Sequence, residues 1–260
     1  MTYALRDSST MLRRNLKHML RYPSMTILLL VMPMIFLLLF VYVFGGTLGA
    51  GLGTPSGGRE AYVNYVTPGI VIMAIAGAVQ GTSIAVAMDM TQGIIARFRT
   101  MAISRGAVLT GHVLGSIIQA MLCVAVILGL AFAIGFRSNA GFLGWLGIIG
   151  TLLLLSFALT WLTVALGLVT KSVESASNLP MPLILLPFLG SGFVPTDSMP
   201  AWLRWFAEYQ PFTPVMETVR SLIHGTPVGS NAYLAVGWCL LIALGGYLWA
   251  RKLFSRNIVR

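Results

Sequence analysis

The chain has 260 residues, 57% of them hydrophobic and only 9% charged, with a net charge of +10. Soluble domains carry about 25% charged residues, so a chain this poor in charge is read as a membrane protein rather than a soluble enzyme. Cys123 and Cys239 lie in apolar runs and His18, His112 and His224 are far apart in sequence, which leaves no disulfide framework and no expected metal site.

In residues 1–22, Leu5, Leu12, Leu16, Met19 and Leu20 recur at helical spacing with Arg6, Arg13, Arg14, Lys17 and Arg21 between them. That pattern predicts a basic amphipathic helix suited to a membrane interface, or else a plain basic flank. Residues 25–44 form the first span, with Pro33 inside it. The glycine-rich stretch 45–58 lacks the strand and helix that a phosphate loop requires, and reads as an outer loop. Residues 68–88 form the second span, and 89–112 a polar connection containing Arg97, Arg99 and Arg105. Residues 113–134 and 145–169 are the third and fourth spans. The fifth run, 176–189, has 14 residues and three prolines. At 1.5 Å per residue it covers about 21 Å of a hydrocarbon core about 30 Å thick. Residues 232–250 are the sixth span, and a short basic tail follows. The expected fold is an all-α polytopic membrane protein, a single transmembrane domain over 1–260.

The stretch between the fifth and sixth spans is unusually ordered. Pro195, Pro200, Pro211 and Pro214 punctuate it, and Trp202, Trp205, Phe206 and Tyr209 cluster within one turn or two. Pro200 starts a predicted helix over 200–209. Thr213 as a cap before Pro214 starts a second over 214–224, ended by Gly225. Glu217 and Arg220 suit an i,i+3 pair on it. Two short, partly re-entrant outer helices result, with Trp202 and Trp205 at interface depth. They form either an outer gate or a structural cap over the short fifth run.

With the N-terminus in the cytoplasm, six spans return the C-terminus there. Thirteen of the seventeen Lys and Arg residues then lie on the inner side, a strong positive-inside bias. Topology and contact with anionic lipid account for the whole excess charge, and no nucleic-acid role is left to explain. A cell-membrane location with both termini cytoplasmic follows.

Chemistry is sparse. No Gly-Lys dipeptide occurs, so the phosphate-loop pattern is absent. There is no zinc-protease motif and no catalytic residue stands out. Neutral polar side chains remain in the spans, among them Gln80, Ser83, Gln119 and Thr160. They serve either as interhelical hydrogen bonds, each worth about 0.6 kcal/mol, or as the lining of a substrate route. The two glutamines have the most bonding capacity to satisfy. In the connection after the second span, Ile94, Ile95, Phe98 and Met101 give one apolar face to a helix over 93–105. It suits a groove on a soluble partner or a surface position with snorkelling arginines.

A family resemblance rests on three features. The first is Asp89, Gly93, Arg97-Phe98-Arg99, Ile103-Ser104-Arg105 and Gly111 in the polar connection. The second is Phe193-Val194-Pro195, Met199-Pro200, Trp202-Leu203, Pro211, Thr213-Pro214, Arg220 and Gly225. The third is the plan of an amphipathic N-terminus, six spans and an enlarged outer segment before the last. The chain resembles the permease subunits of ABC-2 type exporters, and within them the daunorubicin-resistance-like drug exporters. Ala102 stands where relatives often have proline, and His112 where they have arginine. The resemblance implies a half-transporter that pairs with a second permease subunit, identical or sibling. It implies a separate ABC ATPase that holds ATP and magnesium, with no cofactor in this chain. Asp89, Gly93, Arg97, Phe98, Arg99 and Arg105 would make the coupling contact. Pro195, Pro200, Trp202, Trp205, Pro211, Pro214 and Arg220 would form the outer gate. The substrate would be an amphipathic drug or lipid. Export of a polysaccharide or cell-wall polymer is the alternative, though such a route calls for aromatic residues that are sparse in spans two to four. A membrane enzyme or structural subunit is the alternative from another class.

Overall fold

A computed structural model describes residues 10, 12–15, 17, 19, 21, 23–52, 58–91 and 105–256. Every regular element among them is helical. The first membrane-length helix is composite: α1 (Pro23–Leu39), a π-helical turn (Phe40–Phe44) and α2 (Gly45–Ala50). Then come α3 (Arg59–Thr91), α4 (Arg105–Ile134) and α5 (Phe142–Val169). A run of short pieces follows: α6 (Val173–Asn178), α7 (Met181–Leu185), 3-10 turns at Leu186–Leu189 and Thr196–Ser198, α8 (Ala201–Tyr209) and α9 (Phe212–His224). The last element is α10 (Asn231–Arg256). Five helices are long and apolar enough to cross a membrane, while the apolar segment Val173–Leu189 is shorter.

α3 is the axle of the bundle. The most apolar part of α3 is 72% buried and that of α5 is 61% buried, against 17–28% for the other three long helices. The outer helices expose Ile27, Leu28, Leu122, Leu241 and Leu244. Those faces suit contact with lipid, where an apolar surface carries no penalty. Small residues set the closest contacts. A Cβ on Gly69 of α3 would lie 2.6 Å from the Gly192 carbonyl oxygen, and one on Gly246 of α10 would lie 2.7 Å from the Leu162 amide nitrogen of α5.

The bundle has two distinct ends. At one, Val86 of α3, Leu109 and Val113 of α4, Trp161 of α5 and Ala250 of α10 share a small core. This near end also receives the described residues between 10 and 21, which are helical. At the far end α3 begins, α4 turns into α5, and α9 is seated. Between Val169 and Asn231 the chain must travel from the near end to the far one. It does so alongside α3: Gln80 Nε2 donates to the Ser177 carbonyl at 2.6 Å, and Tyr62 Oη to the Phe193 carbonyl at 3.0 Å. Segment 177–193 therefore runs antiparallel to α3 over most of its length.

Several boundaries move from their sequence positions. Stretch 45–58 is not wholly a loop: Gly45–Ala50 continues the first helix. Position 49 has no room for a side chain, because a Cβ would collide with the Gly58 backbone. The second span starts not at Pro68 but at Arg59. Tyr62, Val63 and Val66 are buried and carry the helix past the proline, and neighbouring groups in a bundle tolerate the lost backbone bond. α4 starts at Arg105 rather than 113, and α5 at Phe142 rather than 145. Within the predicted 93–105 helix, only Arg105 is among the described residues, as the first residue of α4; the rest lies outside them. Of the predicted helix over 1–22, residues 10, 12–15, 17, 19 and 21 are described, and these are helical. The predicted Thr213 cap is also displaced: α9 begins at Phe212 with Pro211 at the cap position.

Gly69→Ala is expected to force α3 away from Gly192 and to cost about 1–3 kcal/mol, the usual range for overpacking. Gly129→Ala in α4, where a Cβ meets nothing within 4 Å, should be neutral or stabilising by about 0.5–1 kcal/mol. Thermal unfolding of the two purified variants in detergent checks the contrast.

Candidate functional site

At the far end, helix and loop residues converge on one carbonyl. The loop 190–195 follows a 3-10 turn and has no helical partner for its backbone, so side chains must satisfy it. Ser191 O accepts from Arg220 Nη2 at 2.7 Å and from Tyr65 Oη at 2.9 Å. Arg220 Nη2 also donates to Tyr65 O at 3.2 Å, and its guanidinium lies 4.0 Å from the centre of the Tyr65 ring. Arg220 is buried and its charge is met by Glu217 one turn earlier on α9. Gln210 Nε2 donates to the Leu186 carbonyl at 3.1 Å. Phe188 and Phe193 stack at 4.4 Å, and Phe40 packs 4.7 Å from Phe193, which joins the π-helical turn to the same loop.

α9 and α8 differ in how they are held. α9 buries Phe212, Val215, Met216, Val219 and Ile223 in the main core. It ends at Gly225, whose φ of +68° lets the amides of Gly225 and Thr226 cap the last turn. The Ile223 carbonyl also accepts from Asn139 N at 2.9 Å, tying α9 to the α4–α5 turn. Desolvation, then the Arg220 charge, lower the pKa of His224 at this helix end. α8 is amphipathic. Pro200 precedes it, Trp202 and Trp205 are 75% and 68% exposed, and Phe206 and Tyr209 share their face. Arg204 pairs with Asp197 at 2.6 Å and Glu208 at 2.7 Å on another face. Pro195 precedes the second 3-10 turn, and Pro214 is buried in the first turn of α9.

At the near end, Asp89 is buried and bonded on both sides. Arg14 Nη2 lies 3.2 Å from one carboxylate oxygen and His112 Nε2 3.0 Å from the other. Asn15 Nδ2 donates to the Gly111 carbonyl at 3.0 Å. Arg14 and Asn15 thus tie the described N-terminal residues to the ends of α3 and α4. Above this cluster, towards mid-bundle, a half-open cavity of about 370 Å³ lies between α1, α3 and α4. Gln80 and Gln119 line it; Ser83 and Thr160 do not. Ser83 sits behind Gly167 of α5, where a Cβ on the glycine would lie 2.6 Å from the Ser83 carbonyl oxygen. Thr160 donates to the Ser156 carbonyl at 2.6 Å and lies 3.5 Å from Ser116 Oγ, which Thr82 bonds at 2.5 Å. Of the six residues expected to couple to a partner, Asp89 and Arg105 are described, while Gly93, Arg97, Phe98 and Arg99 lie outside the described residues.

Comparison with known proteins decides the family. The model of the family described as ABC-2 type transporter matches residues 7–224. The chain belongs to the ABC-2 type transporter family. It is 30% identical over 226 residues to a daunorubicin resistance ABC transporter permease protein, DrrB1, of Streptomyces coeruleorubidus, covering 86% of this chain and 76% of that one. It is 24% identical over 213 residues to a probable doxorubicin resistance ABC transporter permease protein, DrrC, of Mycobacterium tuberculosis, covering 80% and 74%. A 24% match over 171 residues to ABC transporter G family member 20 of Dictyostelium discoideum covers 64% of this chain and 23% of that protein. This ABC-2 chain is therefore a multi-pass membrane protein whose relatives are transporter permeases rather than enzymes.

The sequence pairs Arg220 with Glu217 but does not show Tyr65 or the Ser191 carbonyl as its partners. Tyr62 and Tyr65 lie between the predicted loop 45–58 and the predicted span from Pro68, in a stretch given no element. Their spacing of three residues ahead of an apolar run was the available signal. His112 and Arg14 were likewise not joined to Asp89, since nothing in a single sequence pairs positions 23 and 75 residues apart.

Arg220→Gln should cost about 3–5 kcal/mol, the usual penalty for breaking a buried ion pair, and Arg220→Lys should recover only part, because an ammonium lacks the planar fork. Trp202→Ala should stay within about 0.5 kcal/mol. Melting temperatures of the purified variants check all three.

Proposed function

We propose that this ABC-2 chain is the membrane-spanning half of an ATP-driven exporter that moves amphipathic drugs or lipids outward. The observation that carries the reading is the match along most of both chains to a daunorubicin resistance permease. The chain lacks a phosphate loop, so a separate ABC ATPase binds and hydrolyses ATP with magnesium. A second permease subunit, identical or sibling, completes the pathway. The segment Val173–Leu189 and the loop after it make a sixth crossing. Both ends of the chain are cytoplasmic, in keeping with the concentration of Lys and Arg there, and α8 and α9 lie on the outer face. The N-terminal helix rests in the inner interface, where its basic residues meet anionic lipid.

In this reading ATP binding shifts the pair of permeases between inward and outward states, and it can do so only through contacts that differ between them. The 93–105 region, which follows Asp89 in sequence, transmits that shift. α8 serves as the outer gate because its aromatic face carries no packing load, while α9 is its fixed post. The apolar walls of the cavity suit an amphiphile better than a sugar polymer.

Arg97→Ala together with Arg99→Ala should lower permease-stimulated ATPase turnover at least several-fold and leave membrane insertion unchanged. Transport equal to wild type in that double variant would remove this region from coupling. Trp202→Ala should change the rate of daunorubicin efflux from cells that also express an ABC ATPase that co-purifies with the chain, at equal subunit amount on immunoblots. If no ATPase co-purifies or supports efflux of any amphiphile, the exporter reading fails.

A further inference from the structure

We infer that the cleft between α1, α3 and α4 is a binding site, complete within one subunit, for a single uncharged amphiphile drawn from the membrane. The inference deepens the export reading and rests on it for its place in transport. Three features of the cleft carry it.

The first is space that packing does not use. A Cβ on Gly81 would meet only Leu29 Cδ1, at 3.9 Å. The glycine therefore is not there to let α1 approach α3. In a helix interior it costs about 0.5–1 kcal/mol relative to alanine, and what it leaves is the open volume. The cavity of about 370 Å³ falls at the small end of ligand sites, which run from about 300 to 1,000 Å³.

The second is unspent hydrogen-bonding capacity facing apolar walls. Thr26 Oγ1 is buried without a hydrogen-bond partner. Gln119 lines the cleft, and its amide has no partner among the described residues. Leu29, Ile84 and Met88 supply the walls. A neutral amide and a hydroxyl are then available to orient a polar but uncharged end, while the chain or ring lies against the apolar side.

The third is charge. His112 is the one titratable side chain among the described lining residues, and it is bonded to Asp89, which also holds Arg14. Among the described lining residues no charge is left for an ionised ligand to pair with. Burying an unpaired ion in such a place is costly, so the occupant's polar end is neutral. α1 is only 17% buried over its apolar part, which leaves the approach to the cleft open to lipid. A dimer would hold two such sites, one in each subunit, rather than one shared between them.

Photolabelling of the full chain in phosphatidylcholine nanodiscs tests this. The probes are a diazirine-bearing monoacylglycerol and the lysophosphatidic acid with the same chain. Saturable labelling of the 80–88 peptide by the uncharged probe is expected, with at least tenfold weaker labelling by the phosphorylated one. Gly81→Leu, which fills the cleft without a backbone clash, should reduce labelling at least tenfold. Gln119→Leu, which keeps the shape and removes the amide, should reduce it several-fold. Gly129→Leu, at an open position elsewhere on α4, should leave it unchanged. Labelling that does not saturate, that is equal for the two probes, or that survives both Gly81→Leu and Gln119→Leu overturns the site. Failure to fold of Gly81→Leu leaves Gln119→Leu to decide. The two readings separate cleanly: ATP-driven daunorubicin export with unaltered labelling in the variants sinks the cleft alone. Saturable, variant-sensitive labelling with no ATP-driven export of any amphiphile sinks the exporter reading and leaves the cleft standing.

Discussion

A guanidinium inside the protein, bonded to the Ser191 and Tyr65 carbonyls and balanced by Glu217, holds the far end of this bundle together. Residues 190–195 belong to no helix, and in a poorly hydrated place unpaired backbone groups cost several kcal/mol each. Arg220 can satisfy two carbonyls at once because its donors lie in a fixed plane. Its own charge is tolerable because Glu217 stands one turn away and the Tyr65 ring lies against its face. α9 is thereby seated against α3 and α5, and the position of α9 determines where α10 begins. Gly69 and Gly192 permit the close approach on which the contact depends.

The two halves of the segment between α7 and α10 answer different physical demands. α9 is held by core packing, by Arg220 and by its capped end, so it moves only with the bundle. α8 rests on small buried contacts such as Ala207 and shows its aromatic face outward. Amphipathic rings of that kind settle at the boundary between lipid and water. The near end shows the converse arrangement. There the Asp89 cluster is bonded on both sides, and a cavity opens just beside it. The proposed exporter, which alternates between two states, would need both rigid pieces and surfaces that are not fully packed.

The long apolar runs were legible in the sequence because every backbone group in lipid must be paired within its own helix, which makes helix and span nearly synonymous. Two proline positions were misleading in the same sense, each read as a helix start although the helix begins further upstream. Pro68 reads as a start, yet the helix carries on through it because Tyr62, Val63 and Val66 are buried. Pro214 reads as the first residue of α9, yet Pro211 already fixes the turn before it. Glu217 with Arg220 and the Gly225 stop were legible because both are local, within one turn of helix. The cavity was only half legible. Gln80 and Gln119 stand out as amides in apolar runs, but so do Ser83 and Thr160, which turn toward helix contacts instead. A linear pattern does not say which face of a helix meets a neighbour when three faces are apolar. Nor does it reveal Tyr65, Phe188 and Phe193 as one cluster, since those contacts depend on the path of the chain beside α3.

The segment Val173–Leu189 has a further consequence through its length. Its last turn is a 3-10 helix, which rises about 2 Å per residue instead of 1.5, so the strained form gains reach that an α-helical turn would not. Even so it covers about 27 Å, a few ångströms short of an average hydrocarbon core of about 30 Å. As a crossing it would stand in hydrophobic mismatch with its surroundings, and the bilayer beside it would be drawn thinner at a cost of fractions of a kcal/mol per ångström. Acyl-chain length would then act directly on the balance between transporter states, with the membrane itself serving as a spring on the shortest element of the bundle.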